Sequence, residues 1–167
     1  MTQRIEVKAQ LTVSDAGLVE GVAWPFGSGD RVGDWVEKGA FSGVVGPLPM
    51  LAFHNPNDVV GVWESATEDG VGFRVKGRLL VDDLPRAREL RAMLRSGAVQ
   101  GLSIGFITKK SAPRAGGGRT ISALDLVEVS LVSVPAHPRA RVTVAKSGAE
   151  AIRLAAAISR AAARLRA

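Results

Sequence analysis

The segment GLSIGF at residues 101–106 places one serine, Ser103, between apolar neighbours, with a glycine two positions away on each side. A hydroxyl in such surroundings needs a hydrogen-bond partner, or it must be reachable by a group that uses it. Glycines at 101 and 105 allow a second stretch of backbone to approach closely. The segment therefore predicts a closely packed strand that presents a single hydroxyl.

Two further polar residues lie on apolar segments of their own. His54 ends the segment MLAFH at residues 50–54, and Glu128 lies alone in LVEVSLV at residues 126–132. A serine hydroxyl is a poor nucleophile near neutral pH and needs a base, and histidine, with an ordinary pKa of about 6.5, suits that role. A carboxylate can then fix the tautomer of the ring and stabilise its protonated form. The chain thus carries the three residue types that a serine hydrolase uses, namely Ser103, His54 and Glu128.

Structural explanations stand beside this chemical one. His54 could serve only to hold a turn, and Ser103 could be a small residue between two close backbones. Glu128 is apolar-flanked on both sides, which predicts burial, and a buried carboxylate is costly without a partner such as His54 or an arginine. The arginines considered as structural ion-pair partners are Arg74, Arg78 and Arg141. Asp125 and His137 compete with Glu128 as the third member of the site.

Composition excludes several classes of protein. The chain has 167 residues, 46% of them hydrophobic, which is enough for one folded domain with a core. Because it has no cysteine and two histidines, we expect no disulfide, no metal site, no cofactor and a reducing, cytoplasmic environment. No apolar run reaches about 18 residues, and we expect neither a membrane span nor a signal peptide. The net charge of +6 is dispersed, so nucleic acid is not the expected partner.

Alternation and turn signals organise most of the chain into short strands. Asn55–Asp58 is a predicted turn, and residues 35–41 are a predicted short helix or turn. One helix is expected, with Asp82 or Asp83 as its cap, Pro85 in its first turn and Gly97 at its end. The predicted strands cover residues 4–13, 21–24, 50–54, 59–64, 71–80, 101–108, 121–134 and 140–144. This pattern predicts a mostly β barrel or sandwich with flanking helices.

The pentapeptide GLSIG also matches G-x-S-x-G, the nucleophile elbow of α/β-hydrolases, and Ser103, Asp125 and His137 occur in that family's order. The elbow requires a helix directly after the serine, whereas here the predicted helix precedes it. The first hundred residues also lack the β-α alternation of a parallel sheet. We therefore set the α/β-hydrolase interpretation aside.

Four segments in order resemble the phage prohead (procapsid) maturation protease family, whose fold is similar to that of herpesvirus capsid assembly proteases. They are EKGAF at 37–41, LAFHN at 51–55 with VGVW at 60–63, LRSG at 94–97 followed by GLSIGF, and LVEVSLVSVPA at 126–136. The resemblance covers roughly residues 5–145. It implies a single-domain, herpesvirus-protease-like β-barrel over residues 1–146, followed by an Ala/Arg-rich helical tail over residues 147–167.

The resemblance also implies an activity. Ser103 is then the nucleophile of a serine endopeptidase, His54 the general base and Glu128 the orienting residue. Because the herpesvirus relatives use a second histidine as the third member, His137 stays open beside Glu128. The expected substrate is the major capsid protein or its scaffold segment, cut inside assembling procapsids of a phage or a phage-like gene transfer particle. A homodimer and self-trimming within the basic tail are further expectations.

Two other functions remain open from the sequence. One is a catalytically inactive capsid-assembly or scaffold-binding protein of the same fold. The other is a basic β-barrel module that binds nucleic acid, although three Trp, five Phe and no Tyr supply few rings for stacking on bases.

Overall fold

A computed structural model describes residues 14–143 of the chain. Its elements in chain order are β1 (Leu18–Pro25), β2 (Trp35–Val36), β3 (Leu48–Ala52), β4 (Asn55–Glu68), β5 (Gly72–Leu79), α1 (Pro85–Ser96), β6 (Gly101–Pro113), β7 (Arg119–Val132) and β8 (Arg141–Thr143). The predicted mostly β barrel is confirmed.

The barrel closes because β6 and β7, which lie at the two ends of the ring's strand order, also pair with each other. Neighbours run β7-β3-β4-β5-β1-β8-β6, and the antiparallel β6–β7 ladder completes the ring. Strand β3 runs parallel to β7, and the short β2 adds to β7 outside the ring. Closure removes the exposed strand edges that an open sheet would carry.

The barrel interior holds one apolar core. Its largest fully buried side chains include Trp24, Trp63 and Phe73. The helix α1 adds Ala87, Leu90 and Leu94 to the same core, and it packs against β4 and β5. These three residues recur every three or four positions, which is the spacing that places side chains on one face of a helix.

The helix begins and ends at proline and glycine as predicted, but the predicted cap is wrong. Leu84, with φ −114° and ψ 118°, occupies the N-cap position, and no side chain within residues 14–143 caps the helix. A proline forces the residue before it into extended backbone, so Pro85 sets the start and leaves Asp82 and Asp83 too early in the chain. Gly97 ends the helix with φ 78°, a left-handed conformation that glycine adopts readily.

The turn predicted at Asn55–Asp58 is also wrong, because those residues open β4. Ala52 pairs with Asn55, so the turn consists of Phe53 and His54 alone, with φ 55° and 59°. Two-residue hairpin turns often need left-handed backbone at both positions and favour Asn and Gly there. Phe53 and His54 are not residue types that favour such a turn, whereas the neighbouring Asn-Pro-Asn-Asp sequence is. The sequence therefore predicts the turn a few residues too late.

Within residues 35–41, Trp35 and Val36 form a strand and residues 38–41 form turns. The predicted strand at 4–13, the domain boundary at 146/147 and the helical tail fall outside the described residues. Across residues 14–143, the one helix is neither long nor apolar enough to span a membrane.

Candidate active site

Glu128 reaches the outer face of the barrel because β7 is irregular immediately before it. Gly105 pairs with Glu128 and Phe106 with Leu126, so Val127 has no partner on β6 and forms a bulge. Leu124 and Leu126 pack on the core before the bulge, and Val129 and Leu131 lie in the core after it. The bulge therefore shifts the inward-facing positions by one residue and turns Glu128 outward.

On this outer face the Glu128 carboxylate contacts two partners. His54 Nδ1 lies 2.7 Å from Oε1, and the Ser130 hydroxyl donates to Oε2 at 2.6 Å. From the core side, the Trp63 indole donates to the Val129 carbonyl at 2.9 Å and anchors the strand between Glu128 and Ser130. Because both carboxylate oxygens are engaged and the strand is anchored, the carboxylate has a defined orientation.

The β3–β4 turn brings His54 over the outer face of β7. The Phe53 N–H donates to the Leu131 carbonyl at 3.0 Å, and the His54 N–H donates to Ser130 Oγ at 3.1 Å. The His54 side chain is 45% exposed, whereas that of Glu128 is 10% exposed. Since Nδ1 faces the carboxylate, Nε2 is the ring nitrogen that remains for a reacting group.

Ser103 lies on the same face, beside this pair. Its direct partner across the β6–β7 ladder is Ser130, so the two Cα atoms are about 4.5–5.5 Å apart. The Ser103 hydroxyl makes no hydrogen bond to any residue in 14–143. Among the fully enclosed polar side-chain atoms of that range, Trp24 Nε1 alone lacks a hydrogen-bond partner. The Ser103 hydroxyl also lacks a partner there, so it is not fully enclosed and keeps some access to the surface.

The carboxylate shifts the pKa of the histidine. The hydrogen bond from His54 to Glu128 raises the pKa of His54 above 6.5, and it outweighs burial, which acts in the opposite direction. A raised pKa makes the imidazole a stronger base and stabilises the imidazolium that forms when it accepts a proton.

We expect a pH dependence of known sign from this pair. Because a base must be neutral to accept a proton, kcat/KM should fall as the pH falls through the raised pKa of His54, above 6.5. The imidazolium–carboxylate hydrogen bond also stabilises the folded chain. This contribution to the free energy of unfolding is fully present below the pKa of the unfolded histidine and is lost as the pH rises through the higher pKa of His54 in the folded chain. The measurement is kcat/KM against pH on a cleavable peptide; an acid limb at or below 6.5 contradicts this assignment.

Gly105 makes room for the carboxylate. A Cβ atom at this position would lie 2.5 Å from Glu128 Oε1, the oxygen that contacts His54. The backbone of Gly105 has no positive φ, so the requirement for glycine here is one of space.

We therefore expect Gly105→Ala to reduce kcat by about 10²-fold, since an added methyl group must displace Oε1 from Nδ1. The loss of unfolding free energy should stay within about 1–2 kcal/mol, because the displaced group is the end of a side chain. Gly43→Ala is the matched control, since a Cβ there meets no atom of the described residues within 4 Å. Equal activity of the two variants would refute this role.

His137, which the sequence left as an alternative to Glu128, lies in a separate cluster of side chains. Its Nδ1 accepts the Arg139 N–H at 3.1 Å, its Nε2 lies 3.2 Å from Ser28 Oγ, and its ring meets Trp24 edge-on. Burial lowers the pKa of His137, which favours the neutral ring. Both ring nitrogens are therefore occupied in joining the loop after β1 to the turn before β8.

The other residues considered as the third member of the site or as partners of Glu128 also lie away from it. Asp125 is exposed and forms an ion pair with Lys109 at 2.6 Å. The arginines considered for Glu128 have other partners: Arg74 pairs with Asp69, Arg78 with Glu64, and Arg141 with the Ala140 carbonyl. Of the candidate carboxylates and histidines, the structure brings together His54 and Glu128.

Sequence reasoning missed Ser130 and Gly105 as parts of the site. Ser130 follows Glu128 by two residues, so a shared strand face was foreseeable, but its contact with the His54 backbone depends on the distant β3–β7 pairing. No group of three or more metal-ligating side chains occurs within residues 14–143.

Comparisons with known proteins give a consistent family. A family model described as caudovirus prohead serine protease matches residues 3–154. The prohead protease of Enterobacteria phage HK97 is 32% identical over 82% of this chain and 64% of its own length. A capsid polyprotein of Pseudomonas phage PAJU2 is 35% identical over 72% of this chain. The chain thus spans less than two thirds of either relative, and 19% of the second.

Among solved structures, a KSHV protease in complex with a hexapeptide phosphonate inhibitor has the same fold. The TM-score is 0.50 at 16% identity, and the match covers 86% of this chain and 77% of the other. At this identity the likeness concerns the fold alone, and it confirms the predicted herpesvirus-protease-like barrel.

Proposed function

The chain belongs to the caudovirus prohead serine protease family, and we propose that it is a serine endopeptidase that processes the major capsid protein or its scaffold segment during assembly of a phage or phage-like particle. The observation that carries the proposal is the 2.7 Å contact between His54 Nδ1 and a nearly buried Glu128 carboxylate, beside the Ser103 hydroxyl, which has no hydrogen-bond partner within residues 14–143. In this arrangement a carboxylate orients a histidine whose other nitrogen can serve as a base.

The reaction is acyl transfer. The Ser103 oxygen attacks the peptide carbonyl carbon while His54 Nε2 accepts the hydroxyl proton, and Glu128 stabilises the imidazolium. The peptide C–N bond then breaks, and His54 gives the proton to the leaving amine. A water molecule, deprotonated by the same nitrogen, attacks the ester, and the acid product leaves as the proton returns to Ser103.

Capsid protein is the proposed substrate class because of what the relatives are. One relative is named a prohead protease. Another is named a capsid polyprotein, and this chain matches part of it. A protease of this family acts in the assembling prohead, and we place the action of this chain there.

The experiment is co-production of this chain with the major capsid protein encoded beside it, followed by intact-mass analysis of the capsid protein. We expect a truncated capsid protein with the wild-type chain and a full-length one with Ser103→Ala. The same products in both co-productions would reject the protease and favour an inactive assembly protein. Steep salt dependence of binding to DNA would instead favour the nucleic-acid module.

Self-trimming is part of the same proposal. The composition changes to a basic, alanine-rich stretch after Lys146, and we place a self-cleavage site in residues 147–167. Intact-mass analysis of active particles should show a shortened chain. A stable full-length chain in such particles would contradict self-trimming and leave capsid processing in place.

We also propose a homodimer, on the basis of the family resemblance. Light scattering of the purified chain should give twice its 17.5 kDa mass. A monomer that still processes capsid protein would contradict the dimer and leave the catalytic assignment intact.

A further inference from the structure

Ser130 is fully buried, and it links two of the candidate catalytic residues through one oxygen atom. Its hydroxyl donates to Glu128 Oε2 at 2.6 Å and accepts from the His54 backbone N–H at 3.1 Å. It also lies directly opposite Ser103 across the ladder. No other side chain in residues 14–143 contacts both the carboxylate and the histidine by hydrogen bonds.

The first of these bonds fixes the carboxylate. A carboxylate held through one oxygen can rotate about its own axis and lose alignment with the ring. Because the Ser130 hydroxyl holds Oε2, Oε1 stays directed toward His54 Nδ1. A defined orientation is what an orienting group in a triad must supply.

The second bond supports an unfavourable backbone. His54 has φ 59° and the preceding Phe53 has φ 55°, and left-handed backbone costs such residues about 1–2 kcal/mol each. Strained conformations persist where surrounding contacts determine them more than once. Here the Leu131 carbonyl accepts the Phe53 N–H, and the Ser130 hydroxyl accepts the His54 N–H. The same oxygen therefore holds the turn that presents the histidine.

The two serines differ in their availability. The Ser130 hydroxyl donates its proton to Glu128 and accepts the His54 N–H with one of its lone pairs, whereas the Ser103 hydroxyl has no partner among the described residues. A hydroxyl with both functions engaged is suited to positioning rather than to attack.

We propose that Ser130 is a positioning residue of this site, which holds Glu128 and the strained His54 turn in register so that the Nδ1–Oε1 hydrogen bond forms. The proposal rests on the proposed function for its effect on turnover. Its effect on His54 itself is independent of any substrate.

The experiment compares Ser130→Ala and Ser130→Thr with Ser133→Ala, an exposed serine just beyond the same strand. The pKa values of the imidazoles are measured by NMR titration of the full chain. Since the chain has two histidines, His137 serves as the internal control in each spectrum. We expect Ser130→Ala to lower the pKa of His54 toward its ordinary value and to leave His137 unchanged. Ser130→Thr, which keeps the hydroxyl, should restore the wild-type value, and Ser133→Ala should have no effect.

On a cleavable substrate, kcat should fall by about 10- to 100-fold in Ser130→Ala with KM little changed, and the acid limb should move to lower pH. An unchanged or increased His54 pKa in a folded Ser130→Ala chain would overturn the proposal. If the chain cleaves no substrate, the proposed function fails while the titration still decides the role of Ser130. If Ser130→Ala does not fold, Ser130→Cys takes its place, because a thiol fills the site but is a weak hydrogen-bond donor and acceptor: a lowered His54 pKa supports the proposal, and an unchanged one overturns it.

Discussion

Ser103→Ala is expected to lower the rate of peptide cleavage by at least about 10⁴-fold, because it removes the oxygen that forms the acyl-enzyme. The variant should fold normally, since the Ser103 hydroxyl makes no hydrogen bond within residues 14–143 and its loss breaks none. The measurement is single-turnover cleavage of a peptide that spans the capsid cleavage site, together with thermal unfolding.

Ser111→Ala is the matched control, because Ser111 is an exposed serine on the same strand, β6. It should retain full activity. A Ser103→Ala chain that keeps a tenth or more of the wild-type rate would rule out Ser103 as the nucleophile. A loss of activity accompanied by unfolding would also contradict the account, which assigns Ser103 no structural hydrogen bond.

Glu128→Gln carries the second largest expected effect, a fall in kcat of about 10³- to 10⁴-fold. Glutamine preserves the shape of the side chain but removes the charge that stabilises the imidazolium and holds the Nδ1 proton. Because the hydrogen bond to Glu128 is the main cause of the raised His54 pKa, the acid limb of the pH profile should also move down toward 6.5. The measurement is the kcat/KM profile of the variant against pH.

Asp125→Asn makes the same chemical change at the exposed carboxylate that pairs with Lys109, and it should leave the profile unchanged. A large loss in Asp125→Asn with little effect of Glu128→Gln would reverse the assignment of the third member. A Glu128→Gln variant whose rate falls while its acid limb stays in place would show that the carboxylate does not control His54.

Much of the fold is local enough to predict from the sequence. Alternating apolar residues predict the strands, and Pro85 and Gly97 bracket the helix because their backbone preferences are strong. The Phe53–His54 turn could not be predicted in this way. The N–H groups of its two left-handed residues donate to β7, where Ser130 lies 76 residues after His54 in sequence, and neither residue type favours that conformation.

The site was foreseeable in its residue types but not in its geometry. Glu128 was identified because a charge in an apolar run needs a partner, and the structure provides His54. Simple alternation places Leu126 on the same face as Glu128, whereas the bulge at Val127 puts them on opposite faces. Such bulges leave no local pattern, since they reflect how two strands pair. The roles of Ser130 and Gly105 likewise depend on contacts that form only when β3, β6 and β7 come together.

The most direct test of the central claim is labelling with a reactive fluorophosphonate, carried out on a preparation that demonstrably processes capsid protein. The modified residue is identified by peptide mapping. The account predicts one adduct, on Ser103, formed more slowly in His54→Ala and Glu128→Gln and absent from Ser103→Ala. An adduct on a different serine, or an active preparation in which Ser103 stays unmodified, would contradict it.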